Sequence, residues 1–152
     1  MDNDHLKSLQ APLKTEGSIS EGVTCSVATA KAMVEAGLHP ATGGLGFHAC
    51  SGDMLLPALV ACAGVTLNTG ATALQIPLAG ATVRAEGDLD CRSTLGVDCE
   101  APVGFTDIRL SFDLEGAVTP EQRATLLKLT ERYCVVYQTL RQPPSIAVEM
   151  TL

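Results

Sequence analysis

The sequence has no tryptophan, only two Tyr and three Phe, and aromatics amount to 3% of its residues. Leu, Val, Ala and Ile must therefore fill the core, and few rings are left to stack on bases or sugars. Basic charge is scarce as well: ten Lys and Arg against seventeen Asp and Glu give a formal net charge of −7. An acidic surface repels phosphate backbones and anionic lipid alike, so nucleic acid and membrane surfaces are set aside as partners. The N-terminus MDNDHLKSLQ lacks the basic and apolar regions of a secretory signal, which predicts a cytoplasmic chain with reduced thiols. No Cys-x-x-Cys or His-x-x-x-His spacing is present, so neither His48-x-Cys50 nor the Cys91–Cys99 loop is read as a zinc site and no metal is expected. Gly-x-Ser-x-Gly and Gly-x-x-x-x-Gly-Lys are also missing, which removes hydrolase and nucleotide-binding readings.

One further absence is open to misreading. From Met54 to Val83 there is no charged residue, a stretch long enough in principle to span a bilayer. Pro57, Gly64, Asn68, Thr69, Gly70, Gln75, Pro77 and Gly80 interrupt it, no Trp or Tyr belt flanks it, and no Lys or Arg lies between Lys31 and Arg84 to set a topology. The stretch reads as a buried core helix followed by a turn.

What is there suits a single domain over residues 1–152: 46% hydrophobic residues supply a core that needs no disulfide staples. Residues 1–20 are polar and read as a loose or dimer-pairing arm. Gly22–Thr29, GVTCSVAT, is β-branched and reads as a strand with Cys25 in its core. Glu35–Gly52 carries five Gly and a Pro and reads as a long loop. From Asp53 to Thr69 the apolar pattern is helical: Leu55, Leu59, Cys62 and Thr66 share one face and Leu56, Val60, Ala63 and Leu67 the next, so the helix is expected to be central. Ser51 or Asp53 can cap it, whereas Pro57 is expected to bend it or delay its regular start. Ala81–Leu89 and Thr106–Glu115 alternate polar and apolar residues, the pattern of half-buried antiparallel strands with a turn between them. Thr119-Pro-Glu-Gln122 opens a second helix with Leu126, Leu127, Leu129, Tyr133 and Cys134 turned inward. Pro143-Pro144 stops it, and Ile146, Val148, Met150 and Leu152 alternate in a last strand. Strands before and after two helices, without regular βαβ alternation, define an α+β class.

Each helix thus has a thiol on its inward side. No local motif links Cys62 to Cys134, but helices sharing one small core bring such thiols together. A facing pair supports a cycle in which a thiolate attacks an oxidant, becomes a sulfenic acid and is captured as a disulfide. The competing reading is packing, since free Cys is among the most buried residues. Cys50, in the approach to the first helix, is an alternative resolving thiol.

At this point the residues resemble a known family. Asp53-Met-Leu-Leu-Pro-Ala-Leu-Val-Ala-Cys62, followed by Arg132-Tyr-Cys134-Val-Val-Tyr-Gln-Thr-Leu140, is similar to the two cysteine blocks of the OsmC/Ohr family of osmotically induced and organic hydroperoxide resistance proteins. The resemblance runs from about Gly22 to the C-terminus. It implies an OsmC-like α+β fold, with an antiparallel sheet on a central helix, and an intertwined homodimer with its site at the interface. It also implies reduction of small organic hydroperoxides by two cysteines and an external dithiol, with no metal or prosthetic group. By position, Cys62 is the attacking thiol and Cys134 the resolving one. Asp53 falls at the acidic position that pairs with an arginine in the family, or is simply a helix cap. The chain departs from the pattern in three places. The family arginine of the N-terminal strands has no match, since the first arginine is Arg84, and Val135 and Tyr137 stand where the family has Pro and His. Lys31 or His48 is the candidate to replace that arginine, and Leu59 and Tyr137 are the candidates to line a substrate pocket. The alternative is a non-peroxidase OsmC-like protein that binds a small hydrophobic ligand in the interface pocket and keeps its thiols as packing.

Overall fold

A computed structural model describes residues 16–20, 24–28 and 33–151, and divides the chain after Ser51 into two compact units. In the first unit β1 (Glu16–Ser20), β2 (Thr24–Ala28) and β3 (Met33–Gly37) form an antiparallel sheet in the order β1-β2-β3. The expected strand around Cys25 is β2, in which Cys25 pairs with Ile19 and Ala36; its side chain lies outside the described residues. The predicted loop from Glu35 is shorter than expected, because the backbone up to Gly37 is recruited as a third strand by pairing with β2. Gly37 N–H then donates to the Ala49 carbonyl at 2.9 Å and Ala49 N–H to the Glu35 carbonyl at 3.2 Å, closing the intervening segment. Within it a single 3-10 turn, Pro40–Thr42, is capped by His39, whose Nδ1 accepts from Ala41 N–H at 3.1 Å.

The second unit holds α1 (Ser51–Ala73), β4 (Gly80–Leu89), the one-turn α2 (Cys91–Thr94), β5 (Phe105–Glu115), α3 (Pro120–Tyr133) and α4 (Val135–Arg141). Strands β4 and β5 form an antiparallel ribbon with the alternation read from the sequence. Val83, Ala85, Ile108, Leu110 and Phe112 face the core, while Arg109 pairs outward with Glu86, Asp88 and Asp107, and Arg84 with Asp113. The Arg109 guanidinium hydrogen-bonded to Asp88 holds that carboxyl below the usual range. Leu89 leaves the inward set and is exposed, because the register shifts between Asp88 and Leu89. Gly87 is dictated by packing: a Cβ there would stand 2.6 Å from the Phe105 ring.

Helix α1 starts two residues before the expected position and runs through Pro57 without delay, Pro57 removing one N–H from the ladder. Its buried residues are Leu59, Ala63, Leu67 and Ala71, one residue per turn on a single stripe. The two faces read from the sequence are buried or half-buried, and the side away from them is open in a single chain, where Val65 is 69% exposed. It is the one helix among the described residues long and apolar enough, by length and composition, to cross a membrane.

Helix α3 begins as its sequence dictates. Thr119 Oγ1 accepts from Gln122 N–H at 3.2 Å while Gln122 Oε1 accepts from Thr119 N–H at 2.9 Å, a complete capping box with Pro120 in the first turn. Its buried face is narrower than the sequence suggested: Leu126 and Thr130 are buried, but Leu127 and Tyr133 are exposed. Cys134 ends the helix instead of riding on its face, and is at once the C-cap of α3 and the N-cap of α4. The expected last strand is a second correction. Residues 143–151 form no strand, and Ile146, Val148 and Met150 are 81%, 87% and 92% exposed, because alternation makes a strand only where a sheet edge pairs with it.

Two apolar clusters share Phe112. One joins Leu67, Ala71, Ile76 and Leu126; the other joins Leu59, Ala63 and Cys134. Leu126, fully buried, ties α3 to α1. Leu126→Ala is therefore expected to lower stability by about 2–5 kcal/mol, and Thr119→Ala by about 1 kcal/mol, both read as shifts in the urea midpoint. A loss at Leu126 no larger than that at Thr119 contradicts this packing.

Candidate functional site

The second cluster is where the two thiols meet. Leu59 and Cys62 lie one turn apart on α1, and Ala63 next to them packs against Cys134. Cys134 arrives there because α3 stops: its N–H closes the last helical bond to the Thr130 carbonyl at 2.9 Å, and its own backbone is extended, φ −70° and ψ 110°. The chain then turns into α4, with the Cys134 sulfur accepting from Tyr137 N–H at 3.5 Å. Cys134 is fully buried and Cys62 half-buried, and both are free thiols.

The surroundings treat the two sulfurs differently. Burial pushes the Cys62 thiol up, but the Val136 N–H, the Cys134 thiol, the Val135 N–H and the Thr66 hydroxyl hydrogen-bond to it and together hold it below the ordinary thiol range. Burial pushes Cys134 up too; the Tyr137 N–H opposes this, but the neighbouring Cys62 adds to it, and Cys134 remains above the ordinary range. Cys134 thus keeps its proton and donates it toward Cys62, which ionises first. None of the groups acting on Cys62 among the described residues carries a charge. The single hydrogen of the Thr66 hydroxyl goes to the Cys62 carbonyl at 2.8 Å while the thiol is neutral, and is within reach of the sulfur when it ionises.

Of the other residues singled out in the sequence, Leu59 and Tyr137 stand with the pair. Both border a groove of about 290 Å³ together with Phe105, Ile108, Leu110 and Leu140, with Asp107 and Arg141 supplying its charged lining. Tyr137 is half-buried, its hydroxyl 3.3 Å from Glu131 Oε1 and its ring 6.0 Å from the Arg141 guanidinium. Asp53 is exposed in the first turn of α1, where a negative charge suits the helix. His48 lies in the first unit, its ring against Gly37 and its Nδ1 3.7 Å from Glu35 Oε2. Lys31 lies outside the described residues. Cys50 is buried in the first unit, and Cys91 and Cys99 belong to the α2 loop of the second. No group of three or more His, Cys, Asp or Glu among the described residues is placed to hold a metal ion.

The donors that the sequence did not reveal are the backbone amides of Val135 and Val136, which no side-chain motif announces. Thr66 was visible four residues after Cys62 on the same helical face.

Comparison with known proteins places this arrangement. The model of the OsmC-like protein family matches residues 43–149, and the chain belongs to that family. No curated protein sequence matches it. Among solved structures, an OsmC-like protein from Mycoplasma pneumoniae superposes with a TM-score of 0.73 at 14% identity, covering 89% of this chain and 91% of its own. An organic hydroperoxide resistance protein from Elizabethkingia anophelis gives 0.70 at 17% identity, with 89% and 93% covered. Another, described as OsmC from Legionella pneumophila, gives 0.68 at 18%, with 88% and 93% covered. These likenesses establish a shared fold.

The opposite displacements of the two thiols predict a pH dependence of stability. Cys62, depressed on folding, contributes stability that is present above the unfolded thiol value and lost as pH falls through its folded value. Cys134, raised on folding, contributes stability below the unfolded value that is lost only as pH rises through its higher folded value. The urea midpoint of the reduced protein, relative to that of Cys62→Ser, is expected to rise as pH increases from neutrality toward the ordinary thiol range. A difference that shrinks over that interval contradicts the assignment.

Proposed function

We propose that the protein is a thiol-dependent peroxidase that reduces small organic hydroperoxides. The observation that carries this reading is the packing of two free thiols in one apolar cluster, Cys134 fully buried and Cys62 half-buried, with Cys62 held below the ordinary thiol range and Cys134 above it. The Cys62 thiolate attacks the terminal peroxide oxygen; a sulfur–oxygen bond forms, the oxygen–oxygen bond breaks, and the alkoxide leaves and takes a proton as the alcohol. Cys134 then attacks the Cys62 sulfur, a disulfide forms, and the hydroxyl leaves as water with the proton that Cys134 releases. An external dithiol reduces the disulfide, and no metal or prosthetic group is needed. The groove beside Leu59 and Tyr137 accommodates the organic part of the peroxide among Phe105, Ile108 and Leu140. Free thiols and an external dithiol suit a reducing cytoplasmic compartment. In this reading the negative charge of Asp53 favours the start of α1.

The working unit is a homodimer. In a single chain Val65 on α1, Leu74 just past its end, Leu127 and Tyr133 on α3, and the alternating Ile146, Val148 and Met150 are all exposed. An apolar groove of about 410 Å³ runs beside Val65, Leu74 and Leu129. A second copy supplies both a cover for the open stripe of α1 and a sheet edge for the tail. Light scattering is expected to return twice the chain mass; a monomer at micromolar concentration contradicts this assembly.

The alternative, a binder of hydrophobic ligands with inert thiols, shares the groove and is separated by one experiment. Reduced protein treated with one equivalent of an organic hydroperoxide should lose two hydrogens by mass, mapped to Cys62 and Cys134, with release of one equivalent of alcohol. Cys62→Ser should abolish both, whereas Cys134→Ser should stop at a Cys62 sulfenic acid that a dimedone-type reagent traps. Protein left unmodified at that dose overturns the peroxidase reading.

A further inference from the structure

Two cysteines outside the Cys62–Cys134 pair, Cys91 and Cys99, stand on one loop of the second unit as free thiols. Cys91 is half-buried and Cys99 exposed, whereas cysteine is ordinarily among the most buried residues. Packing therefore does not account for Cys99. The loop is closed on itself at Arg92. Helix α2 lasts one turn, and Gly96, with φ +67°, then reverses the chain. The Arg92 carbonyl accepts from Val97 N–H at 2.9 Å and from Asp98 N–H at 3.3 Å. Its side chain repeats the closure, with Nη2 2.7 Å from Asp90 Oδ2 and Nη1 3.5 Å from Asp98 Oδ2. Asp90 directly precedes Cys91, and Asp98 directly precedes Cys99. Each thiol-bearing residue is thus one peptide bond from a carboxylate held on the same guanidinium.

We infer that Cys91 and Cys99 form a second redox site, a dithiol that a low-molecular-weight disulfide converts to an intramolecular disulfide. The site goes beyond the peroxidase reading and uses neither Cys62 nor Cys134. The exposed Cys99, as its thiolate, attacks one sulfur of the small disulfide. A mixed disulfide forms on Cys99, and the other half leaves as a thiolate that takes up the proton Cys99 released. The Cys91 thiolate then attacks the Cys99 sulfur; the protein disulfide forms, and the second half leaves as a thiol with the proton from Cys91. The protein dithiol loses two electrons, and one small disulfide becomes two thiols. Folding favours the second step. The bonds to Arg92 already hold the two ends of the loop together, so the chain entropy of closing it is lost in folding and not in the reaction.

Trypsin separates the two sulfurs, because Arg92 lies between them: Cys91 falls in peptide 85–92 and Cys99 in peptide 93–109. Reduced full-length protein is equilibrated with glutathione buffers of rising disulfide content, quenched in acid, alkylated and mapped by mass. The two peptides are expected to appear joined, and in Cys91→Ser the reaction should stop at a mixed disulfide of Cys99 with glutathione. The midpoint of the series gives the effective concentration of one thiol toward the other. A short flexible loop supplies about millimolar, the value expected in urea, and the folded protein should exceed it by about tenfold or more. The joined pair should form to the same extent in Cys62→Ser, so the outcome is independent of hydroperoxide chemistry. A wild-type protein that ends as the Cys99 mixed disulfide with Cys91 free overturns the inference. So does a disulfide from either thiol to another cysteine in place of this one, or an effective concentration no higher in the folded protein than in urea.

Discussion

Everything distinctive about this molecule depends on α3 ending at Cys134. Had the helix continued, the thiol would lie on a helical face with its neighbouring amides consumed by carbonyls. The break leaves Cys134 fully buried in the cluster with Leu59 and Ala63, and leaves the amides of Val135 and Val136 outside the α3 ladder, where they act to lower the Cys62 thiol. The capping box at Thr119 and Gln122 fixes where α3 begins, and Leu126 locks it to α1. Helix start, helix end and core contact thus set one geometry, that of two sulfurs within hydrogen-bond reach.

The thiolate is favoured by hydrogen bonds against the full opposition of burial. A cation would impose a desolvation penalty of its own in a pocket lined by Leu59, Val136 and Tyr137. Backbone amides and a threonine hydroxyl impose less, and they remain in register with the sulfur because they belong to the same two helices. The chain is acidic, and among the described residues Arg84, Arg92 and Arg109 are engaged by carboxylates on the surface. Those three arginines are thus committed to surface ion pairs.

Much of this was legible in the sequence. The alternation in Val83–Leu89 and Ile108–Leu114 located the ribbon, and Thr119-Pro-Glu-Gln122 located α3 to the residue. The two cysteine blocks identified the sulfurs that the fold brings together. What could not be read has physical causes. A backbone amide has no side-chain signature, so Val135 and Val136 were invisible as donors. β3 forms by pairing with β2, a tertiary choice that the glycines after Glu35 obscure. The tail has the alternation of a strand but lacks a sheet edge in the single chain, and α1 has apolar residues on sides that a single chain does not cover. Periodicity reports which residues seek burial; it does not report which chain buries them.

The central claim is that Cys62 ionises early because neutral donors outweigh its burial. The most direct measurement is a thiolate absorbance titration of the reduced protein near 240 nm, subtracting that of Cys62→Ser. A single thiolate appearing clearly below the ordinary thiol range, with Cys134 following only above it, is the predicted result. A difference spectrum that rises only at or above the ordinary range would contradict it.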